Sequence, residues 1–267
     1  MQHRPIPFSV SLIISTYNRP EALALIFESV LQQVELPDEI IIADDGSTDA
    51  TRQVITTYQQ KLTVPIHHCW HEDQGFRLAA IRNKAIAKAQ HAYIILIDGD
   101  IVMHRLFIHD HKQAAQRGTF IQGTRVLLGE EVTETAIATL QTTFSIFSNP
   151  IKNRINMLRF PLLRKIFVGY QHPLKGIRSC NSSFWRQDAI NVNGFNEAFN
   201  SWGREDSEFA ARLQHNGIKR VNLKFSALAY HLYHPVTQNN LSDNDTLLAT
   251  TLQQKRIWCD VGIQQYL

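Results

Sequence analysis

Two aspartates, one glycine apart, offer the most chemistry in this chain. The apolar run Tyr93-Ile94-Ile95-Leu96-Ile97 leads directly into Asp98-Gly99-Asp100. Like charges repel and carboxylates are costly to desolvate, so a buried strand ending in such a pair needs a compensating partner. A divalent cation is one such partner. Hard oxygen ligands favour Mg²⁺ or Mn²⁺, and the cation can hold a diphosphate between protein and substrate. Solvated turn carboxylates have the same spelling, so the motif alone leaves both readings open. His231 and His234 stand three apart after another apolar stretch. Imidazole suits Mn²⁺ better than Mg²⁺ or Ca²⁺, although histidines also serve as ordinary core or surface residues.

Several elements must position these groups. Ser9–Ser15 reads as a buried strand, followed by a helix that opens at Asn18-Arg19-Pro20-Glu21 and runs to about Gln33. Proline in a first helical turn has no intrahelical donor to lose, and glutamate there suits the helix dipole. Glu39–Ala43, Val64–Cys69 and Tyr93–Ile97 read as further strands, with a helix after Asp49 and another over Arg77–Gln90. Short apolar strands alternating with amphipathic helices predict right-handed crossovers and a mostly parallel sheet, with ligands beyond the carboxyl ends of the strands. The polar clusters Ser15–Arg19, Asp44–Ser47, His71–Arg77 and Asp98–Asp100 all fall at those ends. The first loop, Ser15-Thr16-Tyr17-Asn18-Arg19-Pro20, has no glycine, which excludes the Gly-x-Gly-x-x-Gly dinucleotide loop. Its hydroxyls, ring and amide suit a nucleoside lying across strand ends, or a helix-capping loop around Asn18. Further on, the sequence predicts a strand over Thr119–Leu128, a helix over Glu134–Ser148, a strand over Ile177–Trp185, a helix over Glu205–His215, a strand over Ala227–His231 and a closing helix over Asp243–Asp260.

The 267 residues, 44% hydrophobic and 19% charged, fit a globular α/β chain, and a net charge of +3 gives no case for nucleic acid. The three cysteines have no metal-ligand spacing and form no disulfide framework, which fits a reducing compartment. Met1 to Phe8 has no signal-peptide core, and no stretch reaches the roughly 18–20 apolar residues of a membrane span. The expected address is the cytoplasm, with peripheral contact at the inner face of the plasma membrane left open. From Thr135 to Gln187 there is no acidic residue, while Lys152, Arg154, Arg159, Arg164, Lys165, Lys175, Arg178 and Arg186 are basic. The mixture of bases and apolar residues over 151–178 suits a packed subdomain with a solvated basic face, or contact with anionic lipid or an anionic glycolipid.

The strand-end segments Ser15–Pro20, Ala43–Asp49 and Asp98–Asp100 resemble the three N-terminal signatures of family 2 glycosyltransferases of the GT-A fold. Ser201-Trp202-Gly203-Arg204-Glu205-Asp206 is similar to the Gly-Trp-Gly-x-Glu-Asp motif of galactosyltransferase-type C-terminal regions, with Ser201 at the leading glycine. The resemblance implies that Asp45 reads a uracil edge while Ser15, Tyr17, Asn18 and Arg19 line the nucleoside site. It implies that Gly75 permits close backbone approach, that Arg77 meets a phosphate, and that Asp98 and Gly99 hold the ribose. Asp100, His231 and His234 would ligate the metal. Arg82 would belong to this site or serve as a structural ion-pair partner. Inversion at an anomeric carbon needs a carboxylate opposite the leaving diphosphate. The family motif places that base at Asp206, with Glu205 on acceptor hydroxyls and Trp202 as a platform for a sugar ring.

The expected protein is thus a single GT-A domain over 1–267, with a nucleotide-sugar half (1–104) and an acceptor half (105–267). It would be an inverting, Mn²⁺- or Mg²⁺-dependent transferase acting on a nucleotide-sugar donor, with UDP expected. The acceptor would be a saccharide or glycolipid of surface polysaccharide or lipopolysaccharide biosynthesis. A metal-dependent nucleotidyltransferase and a non-catalytic nucleotide-sugar-binding protein are the alternatives. The first would have no need of Asp206, and turnover of the donor would exclude the second.

Overall fold

The computed structural model describes residues 8–148, 150–160, 174, 176–235 and 241–267. Its first four strands, β1 (Val10–Thr16), β2 (Glu39–Asp44), β3 (Ile66–Trp70) and β4 (Tyr93–Asp98), are joined by helices α1 (Pro20–Leu31), α2 (Asp49–Lys61) and α3 (Leu78–Lys88). All four strands are parallel, with β1 between β2 and β4. Successive side chains of a strand point to opposite faces, and here both faces are covered. Leu12, Ile14, Ile40, Ile42 and Ile95 pack with Leu23, Phe27 and Ile55 of α1 and α2. Ile13, Ile41, Ile94 and Leu96 instead meet Ile81 and Ile86 of α3.

A short strand β5 (Ile101–Met103) follows the Asp98–Asp100 turn. Next come α4 (Phe107–Ala114), β6 (Thr119–Gly123), β7 (Val126–Leu128), α5 (Glu130–Thr139), β8 (Ile151–Lys152), β9 (Asn181–Trp185) and α6 (Arg186–Asn191). The last elements are α7 (Glu205–His215), β10 (Lys219–Leu223), β11 (Ala229–His231) and α8 (Ser242–Gln253). The central sheet has the order β10-β6-β9-β4-β1-β2-β3, in which β9 alone runs antiparallel to its neighbours. The mostly parallel α/β sheet is as expected. It draws three of its strands from residues 105–267, so both expected halves contribute to one sheet. A four-stranded sheet, β5-β11-β7-β8, stands beside it and was not anticipated.

Three sequence-predicted elements need correction. The strand over Thr119–Leu128 is two strands in different sheets, broken where Gly123 passes so close to Asn181 that a Cβ would overlap its side chain. The helix placed over Glu134–Ser148 is Glu130–Thr139. It starts after Gly129, carries Glu130 and Glu131 in its first turn where the helix dipole favours them, and ends where Leu140 turns left-handed. The closing helix stops at Gln253, and Lys255 beyond it has a positive φ of 49°. Much of the basic segment 151–178 lies outside the described residues.

Candidate active site

Register brings the strand ends together. Ser15 of β1 lies opposite Ala43 of β2 and Asp98 of β4, so the polar loops after all three strands open into one cleft. Its volume is about 310 Å³, and Ser15, Tyr17, Arg19, Asp45, Gly75, Asp98, Gly99 and Asp100 are among its walls. Gly99 allows the close fit: a Cβ there would lie 2.5 Å from the Ser15 carbonyl oxygen. Gly75 reaches the cleft with a positive φ of 82°, a conformation that costs glycine little.

The buried Asp45 is held at both oxygens, by His71 Nε2 at 2.7 Å and by the Arg77 backbone N–H at 3.0 Å. Burial raises its pKa above the ordinary carboxylate value, although these partners oppose the shift. Two sequence-predicted residues are not among the cleft walls. Asn18, with a φ of 47°, donates its backbone N–H to Ser47 Oγ and accepts the Thr48 N–H on Oδ1, tying the first loop to the second. The Arg77 guanidinium bonds to Gln74 Oε1, while its backbone fixes Asp45. Both residues shape the cleft through its loops.

At one edge of the cleft, β5 pairs antiparallel with β11, and the Leu232 N–H donates to the Asp100 carbonyl. This pairing carries both histidines to Asp100, with His231 Nε2 3.5 Å and His234 Nε2 3.3 Å from its Oδ2. One ligand atom from each of the three residues lies within 4.8 Å of the others, the only such group of three among the described residues. Burial works against the Asp100 charge, but the His234 hydrogen bond and the charges of His231, His234 and Arg19 outweigh it and lower its pKa. The His234 pKa is raised, chiefly by that hydrogen bond, and burial lowers that of His231.

This donor set fits a divalent cation. Asp100 Oδ1 is buried without a hydrogen-bond partner, which is costly unless something else meets it. His234 Nδ1 lies 3.0 Å from the Pro235 carbonyl, which can only accept, so Nδ1 carries the proton. A neutral His234 then presents its Nε2 lone pair to the carboxylate, an arrangement that only a cation or a second proton stabilises. One carboxylate and two imidazoles favour Mn²⁺ over Mg²⁺.

A second cavity of about 370 Å³ adjoins the first, and Leu78 and Asp98 line both. Trp202 lines it from the loop before α7, and Glu205 and Asp206 from the first turn of that helix. Between the two cavities stands Arg82 of α3, only 1% exposed. Its Nη2 donates to Asp98 Oδ1 at 2.7 Å and its Nε to Ser15 Oγ at 3.2 Å, while Nη1 lies 3.6 Å from Glu205 Oε1. Of the two readings open for Arg82, the structure supports both, because its ion pairs are made to cleft residues. Burial raises the Asp206 pKa against the opposing pull of Arg82 and the Ser207 N–H. Burial and the neighbouring Asp206 push Glu205 up to about 7.

Sequence reasoning missed Asn244. From α8, its buried side-chain amide points Nδ2 at three backbone oxygens: Ser201 at 3.1 Å, Trp202 at 3.4 Å and Gly203 at 2.7 Å. Arg204 Nε donates to Asp245 Oδ1 at 2.6 Å, so α8 secures the loop from both sides. A lone asparagine in a polar helix start carries no sequence signal for this duty.

A mostly parallel α/β sheet with acidic loops gathered in a cleft at its strand ends has its candidate site where open sheets of this class bind ligands. Residues 11–174 match the family described as glycosyl transferase family 2, and residues 165–235 match the one described as N-terminal domain of galactosyltransferase. The chain belongs to glycosyl transferase family 2, an enzyme family. It is 25% identical to a chondroitin synthase of Escherichia coli over 92% of its own length, but spans only 38% of that protein. Among solved structures, S. aureus TarS in complex with UDP-GlcNAc matches 97% of this chain and 69% of that one, with a TM-score of 0.65 and 15% identity. The mannosyltransferase PcManGT from Pyrobaculum calidifontis, in complex with GDP-Man and Mn²⁺, matches 93% of this chain and 63% of that one, with a TM-score of 0.59 and 17% identity. These two likenesses concern the fold.

Proposed function

We propose that the chain transfers a sugar, with inversion, from a UDP-sugar to a hydroxyl of a saccharide or glycolipid acceptor in polysaccharide or lipopolysaccharide biosynthesis. The observation that carries this reading is the joining of two cavities at Leu78 and Asp98. One holds the Asp100–His231–His234 group at its edge and the other holds Asp206. The TarS structure with UDP-GlcNAc and the PcManGT structure with Mn²⁺ accord with it.

On this reading the nucleoside lies against Ser15, Tyr17 and Asp45, and the ribose hydroxyls meet Asp98. Asp100, His231 and His234 would hold Mn²⁺, which offsets charge growing on the departing diphosphate. Trp202, half exposed, offers a ring face to the acceptor sugar, and Glu205 accepts or donates hydrogen bonds to its hydroxyls. Asp206 in its ionised form takes the proton from the attacking hydroxyl. As that oxygen bonds to the anomeric carbon from one side, the bond from this carbon to the diphosphate oxygen breaks on the other. Its raised pKa makes Asp206 a stronger base than an exposed aspartate, and it must be ionised to act.

No helix of the described residues is long and apolar enough to cross a membrane. The reading includes a cytoplasmic site of action and peripheral contact through 151–178. The test is UDP release and sugar transfer from a panel of UDP-hexoses and UDP-N-acetylhexosamines. Asp206→Asn is expected to lower transfer by about 10²–10⁴-fold with UDP binding retained. Because burial raises the Asp206 pKa, kcat/KM is expected to fall on acidification before the pH reaches the ordinary aspartate range. Full transfer by Asp206→Asn would remove the base, and activity untouched by chelator would remove the metal group.

A further inference from the structure

The groove does not end at Asp206. A third hollow of about 330 Å³ continues from the second, with Arg125, Gly176, Arg178 and Cys180 as shared walls. Arg220, Asn222 and Lys224 form its far side. On β10 and the residue after it they alternate with Val221 and Leu223, which pack into the core, so the polar members of the alternation share the outer face. Arg125 enters from the break between β6 and β7, its Nη1 3.5 Å from Cys180 Sγ. The result is a concave surface with four cationic side chains. No Asp or Glu is among the described residues that line it.

Charge is therefore segregated along one groove. Asp98, Glu205 and Asp206 stand with Arg82 and Arg204 at the end beside the donor cleft, whereas the charged residues among the described walls of the far hollow are all cationic. A solvated basic strand face would show the same alternation, but it would not be concave or run into the pocket of Asp206. Burial also lowers the Arg220 pKa, a sign that its guanidinium has lost water. Cations of one sign gathered in a hollow repel one another and concentrate counter-charge. Guanidinium groups meet carboxylate or phosphate with paired hydrogen bonds, which neutral sugar hydroxyls cannot match.

We propose that the acceptor is an anionic saccharide, whose carboxylate or phosphate lies on a unit beyond the reacting one and is bound by Arg125, Arg178, Arg220 and Lys224. This rests on the reading of the Asp206 side as the acceptor side. A neutral acceptor offers the guanidinium groups of Arg125 and Arg178 no paired, charge-assisted hydrogen bonds. An anionic one is drawn in electrostatically and fixed in register, with its reacting hydroxyl at Asp206.

The test is a titration of the protein, first with UDP and Mn²⁺ and then with three oligosaccharide probes. These are a tetrasaccharide containing uronic acid, the same tetrasaccharide with its carboxyls reduced to alcohols, and the reduced form carrying one phosphate monoester. At 50 mM salt either anionic probe is expected to bind at least tenfold more tightly than the reduced one, with the advantage shrinking at 300 mM. Stronger binding of the phosphate or of the uronic acid probe identifies the charged group. The exposed Arg178→Gln is expected to reduce the preference several-fold without unfolding the protein, and Arg178→Gln with Lys224→Gln to abolish it. Equal binding of charged and reduced probes, with UDP bound, overturns this inference alone. A preference unchanged in both variants overturns it too. Failure to bind UDP removes the donor-site reading and this inference with it.

Discussion

Glu205→Gln tests the electrostatics of the cleft without any knowledge of substrates. Glu205 is buried beside Asp206, and its pKa rises from 4.5 to about 7. Below pH 4.5 the side chain is protonated in folded and unfolded chains alike and its ionisation costs the fold nothing. Between pH 4.5 and 7 the unfolded chain alone ionises, and stability is progressively lost as the pH rises through the folded value. At about 1.4 kcal/mol per pH unit, the full cost above pH 7 is on the order of 3 kcal/mol. Glutamine imitates the protonated form. Its carbonyl can still accept the Gly203 N–H that now donates to Oε2 at 3.1 Å. Urea unfolding at pH 5, 6, 7 and 8.5 should show the variant gaining on the wild type by roughly 2–3 kcal/mol across that range. Comparing the change in the gap cancels whatever the substitution does at every pH. A gap constant to within about 0.5 kcal/mol would refute the reasoning. A gap that narrows with rising pH would mean that Arg82, 3.6 Å away, outweighs burial and stabilises the ionised form.

Two further outcomes follow from the geometry. His231→Ala and His234→Ala should each weaken Mn²⁺ binding by about tenfold or more in calorimetry or electron paramagnetic resonance, because each removes one of three proposed ligands. Unchanged affinity in both would confine the metal to Asp100 and the diphosphate. Asn244→Ala should cost about 1–3 kcal/mol in thermal or urea unfolding, because it strips the donor from carbonyls of Ser201, Trp202 and Gly203. With that loop released, KM for the acceptor should rise while the affinity for UDP stays constant.

The strand-end clusters were legible because their signal is local. An apolar run followed at once by Asp98-Gly99-Asp100 or Asp44-Asp45-Gly46 shows both the strand and the place where it stops. The spacing of His231 and His234 was equally visible, though only β5–β11 pairing explains why they arrive at Asp100. The chain gave no comparable signal where function depends on one side chain reaching a distant element. Arg82 has two readings from sequence, site residue or ion-pair partner, but nothing in its helix shows that it joins β1, β4 and α7. Asn18 and Arg77 lie in the expected loops but spend their hydrogen bonds on the loops themselves. The strand Lys219–Leu223 has little strand signal in sequence, because its cationic residues mask the alternation with Val221 and Leu223. The helix expected over Glu134–Ser148 lies instead between Gly129 and the left-handed turn at Leu140, an end that a leucine does not signal.

One guanidinium shared by Asp98 and Glu205 makes the two cavities thermodynamically dependent on each other. A ligand that competes for Asp98 loosens its hold on Arg82 and leaves more of that positive charge for Glu205 and Asp206. Their ionised forms then become easier to reach, so occupation of the first cavity would prime the base in the second. Linkage runs both ways: whatever discharges Glu205 strengthens the grip of Arg82 on Asp98 and alters the affinity of the first cavity by the same factor. On the proposed function, such reciprocity would favour an order of events in which the donor is seated before the acceptor hydroxyl is deprotonated. A single buried side chain would thereby act as the fulcrum between recognition and reaction.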